Sequence, residues 1–335
     1  MRATLKDIAY YLPSAVVTNE DLMSENPAWE LRRLQNHSGI LQRHIAAENE
    51  TALDLAHIAC ERLFDKNRHL RDRVDGIIFC TQSPDHIIPP NACILHQRLG
   101  LQDEVFAFDI NHACSGYIYG LALAQGMLLA GRAQQILLIN ADTYSKYLHP
   151  QDRSARTLFG DGAAVTWLAA AQDQSGLIDI LCATRGQNYA SFYIPAGACR
   201  LRRPAQRRQK LEEDRSVSSA EYIHIDGIKI MELVLDKVPR QIHALLQRNG
   251  LTMDQIKLLI FHQANNFVLE SLRESVKIPA KKIYKNFAEI GNTVSASIPI
   301  ALHDAISDGT LQKGDLLLLS GFGSGFSWGS ALLKY

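Results

Sequence analysis

The sequence predicts an α/β protein in which helices cover the sheets, and three observations lead to this fold class. Strand-like apolar runs alternate along the chain with segments of helical periodicity. The runs of the second half repeat those of the first half in the same order. The chain has 335 residues, enough for two core-building units. We therefore expect two duplicated halves, residues 1–172 and 173–335, each built on its own sheet.

Nine runs are predicted strands, because each is short, apolar and bounded by polar or turn-forming residues. Those of the first half are residues 76–80, 105–108, 136–140 and 163–168. Those of the second half are residues 178–183, 258–261, 283–287, 316–319 and 326–333. A long uncharged helix is expected from about Cys114 to Ala130, where Gly131 ends it.

The internal repeat is visible in short segments. DGIIFC (residues 75–80) resembles KLLIFH (257–262), and ILLI (136–139) resembles LLLL (316–319), each at an offset of about 180 residues. The same offset carries Cys114 to the neighbourhood of Asn292. Two halves related in this way bring corresponding strand ends together, so we expect one shared functional centre.

Composition limits the function classes. The chain has 35 basic and 35 acidic residues, so its net charge gives no reason to expect nucleic acid or an anionic membrane as partner. The six cysteines form no CxxC pair and no closely spaced Cys/His cluster, so neither a disulfide framework nor a metal site is expected. The first residues lack the pattern of a signal peptide, and a reducing cytoplasm fits this cysteine usage best.

Two segments have alternative interpretations. Residues 113–131 approach the length of a membrane span, but they include polar side chains and three internal glycines, so we interpret them as a core helix that is buried all round. Residues 200–215 hold seven basic and three acidic side chains. This segment is either a solvated surface loop or a docking patch for an acidic carrier protein.

Cys114 is the candidate nucleophile. It lies between a predicted strand and the uncharged helix, and a thiol in a first helical turn faces unpaired N–H groups that favour the thiolate. Two further polar segments follow apolar runs, FHQANN (261–266) and GNTVSAS (291–297). A lone buried cysteine or histidine is usually structural. The three segments together predict a catalytic site, in which Cys80, opposite His262 in the internal repeat, is the alternative thiol.

Four motifs resemble those of one enzyme family. They are HACSG (112–116), HQAN (262–265), GNTVSAS (291–297) and GFGSGFSWGSAL (321–332), and two shorter segments at 43–46 and 159–163 add to them. In this order they resemble the β-ketoacyl-acyl-carrier-protein synthase III family of thiolase-fold condensing enzymes. The resemblance covers essentially the whole chain. It implies a thiolase-like five-layer αβαβα fold, a homodimer, and a catalytic set of Cys114, His262 and Asn292.

The family's chemistry explains these residue types. The resemblance implies that Cys114 accepts an acyl group from an acyl-CoA or an acyl carrier protein, with no further cofactor. A malonyl- or β-ketoacyl-type thioester then loses carbon dioxide, and neutral donors from His262 and Asn292 hold the enolate oxygen. The backbone N–H groups of Cys114 and Ser324 are the implied oxyanion hole for the acyl carbonyl.

The chain departs from the family pattern around the substrate. Arg153 matches an arginine that contacts the cofactor arm, and Asn265 of the HQAN motif is a further substrate-binding candidate. However, His37 stands where an adenine-clamping arginine is expected, Phe267 replaces an arginine that faces the carrier protein, and Ile88 takes the place of an aromatic pocket cap from the partner subunit. These differences predict an acyl donor other than acetyl, in specialised lipid or secondary-metabolite assembly.

Three other functions stay open from the sequence. The chain is alternatively a housekeeping enzyme that starts fatty-acid synthesis from acetyl-CoA. It is alternatively an acyltransferase that passes the acyl group from Cys114 to a hydroxyl or an amine without decarboxylation. A catalytically silent subunit beside an active paralogue is the last alternative, although retention of all three catalytic residue types argues against it.

Overall fold

The structure is a computed structural model that describes residues 2–171, 175–203, 210–211 and 217–335. The strands of the first half are β1 (Arg2–Tyr11), β2 (Ala15–Thr18), β3 (Gln42–Ile45), β4 (Gly76–Cys80), β5 (Phe106–Ile110), β6 (Gln135–Asp142) and β7 (Gly162–Ala171). The helices of the first half are α1 (Asn19–Glu25), α2 (Arg32–Ser38), α3 (Ala52–Lys66), α4 (Asn91–Arg98), α5 (Gly116–Leu129) and α6 (Arg153–Arg156). Short 3₁₀ turns lie at Arg71–Arg73 and Tyr144–Tyr147.

The second half has the same mixture of elements. Its strands are β8 (Gly176–Thr184), β9 (Phe192–Tyr193), β10 (Lys210–Leu211), β11 (Val217–Ser218), β12 (His224–Ile225), β13 (Leu258–Phe261), β14 (Leu316–Gly323) and β15 (Ser327–Lys334). Its helices are α7 (Gly227–Arg248), α8 (Asn266–Val276) and α9 (Ser297–Ser307). Its 3₁₀ turns are Gly186–Ser191, Met253–Gln255, Ala280–Lys282 and Val294–Ala296.

Two sheets share one topology. The first has the strand order β1-β7-β6-β4-β5, and the second has the order β8-β15-β14-β13. In each sheet the first two pairings are antiparallel and the next is parallel. The fifth strand of the first sheet is matched in the second only by a parallel bridge between Leu259 and Ile283. The predicted duplication is therefore confirmed in the strand order.

The helices and sheets stack in five layers. Helices α5 and α9 lie between the sheets, where side chains such as Ile118 and Ile298 are buried against strands of both. Leu123 and Leu129 of α5 are 43% and 48% exposed, so the prediction that this uncharged helix is buried all round is wrong in the single chain. Helices α3 and α4 cover the outer face of the first sheet, and α7 and α8 cover that of the second. This αβαβα arrangement is the one that the sequence predicted.

Several predictions need correction. Residues 283–287 do not form a strand, because the side-chain amide of Gln263 bonds the backbone there. Its Nε2 donates to the carbonyl of Tyr284 over 3.3 Å, and its Oε1 accepts from the N–H of Asn286 over 3.1 Å. Strand β1 was not predicted. The boundary between residues 172 and 173 falls outside the described residues, as does most of the basic segment, and both stay predictions.

None of the helices in the described ranges combines the length and apolar character that crossing a bilayer requires.

Candidate active site

Cys114 lies in the loop between β5 and α5, and this loop packs closely against β14. A Cβ at Gly323 would lie 2.9 Å from Cβ of Cys114 and 3.1 Å from its Sγ. A Cβ at Gly321 would lie 2.7 Å from the Cys114 carbonyl oxygen. Both positions must therefore be glycine for the strand to reach the nucleophile loop. Cys114 itself is 3% exposed, whereas Cys80 is completely buried.

The predicted position of Cys114 in the first turn of the helix is wrong. Helix α5 begins at Gly116 rather than at Cys114. The hydroxyl of Ser115, the N-cap residue, pairs with the Ser327 hydroxyl at 2.8 Å and makes no capping bond. Burial first, and the charge of Asp142 second, raise the pKa of the Cys114 thiol well above its usual value, while its own N–H lowers it. The first two effects favour the protonated thiol.

His262 directly follows β13 and is buried. Its Nδ1 lies 2.7 Å from Oγ of Ser297, the first residue of α9, and its ring edge contacts Phe322 with the centroids 5.6 Å apart. Burial lowers the pKa of His262 to about 3, against a smaller opposing effect from a hydrogen bond with the backbone of Val294. The imidazole is neutral at physiological pH, so it serves as a hydrogen-bond donor rather than as a charged group.

Asn292 occupies a turn that joins the two halves. Its N–H donates to the Leu158 carbonyl over 2.8 Å, and its own carbonyl accepts from the N–H of Gly160 over 3.0 Å. Its side-chain Oδ1 accepts from the N–H of Val294 over 2.9 Å. The orientation of the amide is therefore fixed from the main chain, and its Nδ2 is the group with donors for a substrate.

Val294 connects the three catalytic candidates. Its N–H donates to the side chain of Asn292, its backbone is near enough to His262 to affect the pKa of that ring, and its own side chain is packed in the same buried cluster as Cys114. Its φ angle is 53°, which a β-branched residue rarely adopts. Strained backbone of this kind persists only where the surroundings impose it, and it concentrates at active sites. The structure thus brings the three predicted residues to one centre.

The predicted oxyanion donors are also placed here. The N–H groups of Cys114 and Ser324 donate to no other residue in the described ranges. A Cβ at Gly323 would lie 3.5 Å from the Cys114 nitrogen, so the segment that carries Ser324 passes directly beside it. The hydroxyl of Ser324 donates to the Phe192 carbonyl over 2.9 Å, which holds this segment in place. Two free N–H groups near one thiol can stabilise a negative oxygen.

Three aromatic side chains pack in the same buried cluster as Cys114. They are Tyr144, Phe159 and Phe192. The ring centroid of Tyr144 lies 5.5 Å from that of Phe159 and 6.4 Å from that of Phe192. These mutual contacts make a compact, rigid wall beside the nucleophile. The wall was not predicted from the sequence, because its members come from three separate segments.

The substrate-binding candidates lie farther out. Arg153 is the first residue of α6, and Ile88 is 82% exposed in front of Pro89. Phe267 is 44% exposed near the start of α8, where its ring stacks on His37 with the centroids 4.3 Å apart. Asn265 caps α8 by accepting the N–H of Val268 over 3.0 Å. The structure does not bring these four residues into contact with Cys114, and their roles stay predictions.

Two residues of the site were missed from the sequence. Ser297 and Asp142 both make hydrogen bonds to site segments that are distant in the chain. The only available signal was their place, since Ser297 lies within GNTVSAS and Asp142 ends an apolar strand. Within the described ranges, His, Cys, Asp and Glu side chains form no group of three or more that could hold a metal ion.

Comparison with known proteins identifies the family. The sequence profile described as "3-Oxoacyl-[acyl-carrier-protein (ACP)] synthase III" matches residues 108–186, and the profile of its "C terminal" part matches residues 246–335. A beta-ketoacyl-[acyl-carrier-protein] synthase III of Methylococcus capsulatus is 34% identical over 328 residues, which are 97% of this chain and 96% of the relative. The chain belongs to the 3-oxoacyl-ACP synthase III family. A Streptomyces coelicolor relative, beta-ketoacyl-[acyl-carrier-protein] synthase III 3, is also 34% identical and is covered to 97%, over 99% of this chain.

Solved structures of this family have the same fold. One 3-oxoacyl-(acyl-carrier-protein) synthase III superposes with a TM-score of 0.97 at 40% identity, over 100% of both chains. The synthase of Burkholderia xenovorans superposes with a TM-score of 0.92 at 30% identity, over 100% of this chain and 94% of that one. The thiolase-like fold class and the family are therefore confirmed, and the chain is an acyl-transferring condensing enzyme.

Proposed function

We propose that Cys114 is the residue on which this 3-oxoacyl-ACP synthase III carries its acyl group, and that His262 and Asn292 stabilise the enolate of the second substrate. The observation that carries this assignment is the turn at Val294. Its N–H holds the side chain of Asn292, its backbone is near enough to His262 to affect the pKa of that ring, and its side chain packs in the cluster that holds Cys114. One rigid turn thus sets the relative positions of a nucleophile and two neutral side chains.

In the first step, the sulfur of Cys114 attacks the carbonyl carbon of an acyl thioester. The carbonyl oxygen becomes negative and is held by the N–H groups of Cys114 and Ser324. The donor thiol then leaves with the proton that Cys114 releases, and an acyl-Cys114 thioester remains. Because burial keeps the free thiol protonated, we expect the thiolate to form only when a bound thioester completes the site.

In the second step, a malonyl-type thioester loses carbon dioxide and leaves an enolate. With Ser297 on Nδ1, Nε2 of His262 is the nitrogen that we propose donates to the enolate oxygen, together with Nδ2 of Asn292. A neutral imidazole suits this step, because a charged imidazolium could protonate the carbanion before it attacks. The enolate carbon attacks acyl-Cys114, and the β-ketoacyl product leaves as Cys114 regains its proton.

The donor that we propose is an acyl group other than acetyl, used in specialised lipid or secondary-metabolite assembly. Phe267 and His37 support this proposal. Their rings stack on each other, and both residues stand where the resemblance to the family leads us to expect arginines that contact the donor. The wall of Tyr144, Phe159 and Phe192 limits its size, because close-packed rings favour a compact acyl group over a long alkyl chain. Fatty-acid initiation from acetyl-CoA is the second candidate, supported by full-length similarity to proteins named synthase III.

We also propose a cytoplasmic homodimer that takes its thioesters from CoA or an acyl carrier protein. Ile87 and Ile88 are 86% and 82% exposed in the single chain. Because two adjacent exposed isoleucines form an apolar patch, we expect a partner subunit to bury them. The same contact would place Ile88 at the acyl pocket of the second subunit. The basic segment 200–215 is the proposed docking patch for a carrier protein, although most of it lies outside the described residues.

One experiment tests the proposed function. The purified protein is incubated with acetyl-, propionyl-, isobutyryl-, benzoyl- and octanoyl-CoA, and the mass added to each cysteine is read by peptide mapping. We expect an adduct on Cys114 from a compact donor other than acetyl, none with Cys114→Ala, and carbon dioxide release when malonyl thioester follows. Preferred acetylation supports the housekeeping candidate. Acylation without carbon dioxide release supports simple acyl transfer, and an adduct retained in Cys114→Ala contradicts the assignment.

A further inference from the structure

Asp142 is a completely buried carboxyl group beside the proposed catalytic centre, and the mechanism above does not use it. It is the last residue of β6, in the first half of the chain. Among the described residues, no lysine, arginine or histidine forms an ion pair with it. A buried carboxyl without a cation needs hydrogen-bond donors to compensate for lost hydration. The hydrogen bonds that Asp142 accepts therefore indicate its role in the site.

The two oxygens of Asp142 hold two different segments. Oδ1 accepts from the N–H of Gln82 over 2.8 Å and from the hydroxyls of Thr81 and Ser83, each over 3.3 Å. These three residues follow β4 in the first half. Oδ2 accepts from the hydroxyl of Ser295 over 2.9 Å. Ser295 belongs to the Val294–Ala296 turn of the second half, so one carboxyl group bridges the two halves.

The bridge is continuous with the catalytic candidates. The turn that Ser295 anchors is the one that fixes the side chain of Asn292, and it leads directly into Ser297, whose hydroxyl lies 2.7 Å from Nδ1 of His262. On the other side, Thr81–Ser83 follow Cys80, whose Sγ donates to the carbonyl of His112 in the Cys114 loop over 3.2 Å. Removing the carboxyl would release both segments at once. A group with this set of contacts acts on the positions of other residues rather than on substrate.

Asp142 also acts through its charge. Its carboxylate raises the pKa of Cys114 and of Cys80, in both cases after the larger effect of burial. Among the described residues, the charge of Asp142 also raises the pKa of Tyr144 and of Tyr147. For both tyrosines the larger cause is burial. Burial raises the pKa of Asp142 itself to about 7, against the hydrogen bonds from Gln82 and Ser295. The repulsion is therefore present above neutral pH and absent below it.

We propose that Asp142 is a positioning residue that holds the Asn292 turn against the end of β4, and that its negative charge further slows the reaction of the buried Cys114 thiol. The inference rests on the proposed role of Cys114 as the acyl acceptor. It assigns the residue two separable effects. The hydrogen bonds to Ser295 and Thr81–Ser83 set geometry, and the negative charge sets the reactivity of the thiol.

The charge effect is tested with Asp142→Asn, which removes the charge and keeps the size. The unliganded full-length protein is alkylated with iodoacetamide at pH values on both sides of the Asp142 pKa of about 7, and modification of Cys114 is followed by peptide mass. Below that pH the two proteins should react at similar rates. Above it, the variant should react about tenfold faster, which corresponds to about one unit of thiol pKa. A variant that reacts like wild type at every pH overturns the proposal.

Asp161→Asn is the matched control. Asp161 is also completely buried, and it also accepts from a hydroxyl and from backbone N–H groups, those of Ala46 at 2.8 Å and Ser145 at 3.0 Å. Its charge is not among the causes that shift the thiol. We expect its alkylation profile to match that of wild type. An equal acceleration in Asp161→Asn would show general loosening of the fold and would contradict a specific role for Asp142.

Ser295→Ala tests the geometric effect and stays informative if Asp142→Asn does not fold. It deletes one hydrogen bond to the carboxylate, and because that bond lowers the Asp142 pKa, alkylation is compared at a pH well above 7, where the charge is kept. We expect carbon dioxide release from malonyl thioester to slow about tenfold, with alkylation of Cys114 above neutral pH as slow as in wild type. Unchanged decarboxylation overturns the positioning role. Failure of wild type to form any acyl-Cys114 would instead contradict the proposed function, so the two outcomes are distinct.

Discussion

The hydroxyl of Ser297 lies 2.7 Å from Nδ1 of His262. The same hydroxyl accepts from the N–H of Gln263 over 3.3 Å and keeps its own proton, which we expect it to donate to Nδ1 of the neutral ring. This direction places the ring proton on Nε2. Because Ser297 is the first residue of α9, a helix of the central layer orients the imidazole and selects its tautomer.

Ser297→Ala should therefore slow decarboxylation without removing the nucleophile. The change leaves a buried ring nitrogen and the N–H of Gln263 without a partner, at a cost of about 1–3 kcal/mol. We expect carbon dioxide release to fall about tenfold while acylation of Cys114 is retained. Ser307→Ala, at the exposed end of the same helix, is the matched control and should leave both rates unchanged. Equal loss of both steps would indicate a damaged fold instead.

The sequence predicted the strands that lie between two helical layers most accurately. Residues 76–80 and 258–261 have the predicted bounds, because each strand is apolar throughout and is buried on both faces. The strand predicted at residues 283–287 was wrong because its backbone makes one bond to β13, from the Tyr284 N–H to the Leu259 carbonyl, and a glutamine side chain takes the next positions. A hydrogen bond from one side chain across the fold leaves no periodicity in the sequence, so such a replacement is invisible there.

Site residues could be predicted from the sequence only where the residue type and its motif indicate a chemical role. Cys114, His262 and Asn292 lie in polar motifs that interrupt apolar runs. Asp142 contacts Ser295 across 153 residues of sequence, and nothing in the sequence pattern pairs them. The start of α5 was misplaced because Ser115 uses its hydroxyl on Ser327 instead of capping its own helix. In each failure a contact between the two halves replaced a local rule.

Gly323→Ala should abolish or strongly reduce acylation. The added methyl group would lie 2.9 Å from Cβ and 3.1 Å from Sγ of Cys114, closer than van der Waals contact. Either the nucleophile loop or β14 must shift, at a cost of about 1–3 kcal/mol. Gly126→Ala is the matched control, since no atom lies within 4 Å of a Cβ there. It should stabilise α5 by about 0.5–1 kcal/mol in thermal unfolding and keep acylation intact. Full acylation of Gly323→Ala would contradict this packing.

Asn292→Ala should separate the two chemical steps. It removes the proposed enolate donor and the acceptor of the Val294 N–H, and loss of one such donor slows catalysis about a hundredfold or more. We expect this loss in carbon dioxide release, measured with malonyl thioester, while the acyl-Cys114 mass adduct still forms. Asn249→Ala is the control, because Asn249 bonds Asp179 and the Leu245 carbonyl at the far end of α7. Slowed decarboxylation in both variants would argue against a specific role for Asn292.

His262 should make the protein lose stability as the pH falls. Burial lowers its pKa from 6.5 to about 3, so below pH 6.5 the unfolded chain binds a proton that the folded chain does not. The stability that neutral His262 contributes is complete above 6.5 and declines as the pH falls towards 3. Between pH 7 and about pH 5, wild type should lose about 2 kcal/mol more than His262→Gln in urea unfolding, because other groups titrate alike in both proteins. His243→Gln, exposed on α7, should lose as much as wild type. Equal losses in wild type and His262→Gln would show that the imidazole is already charged in the folded protein.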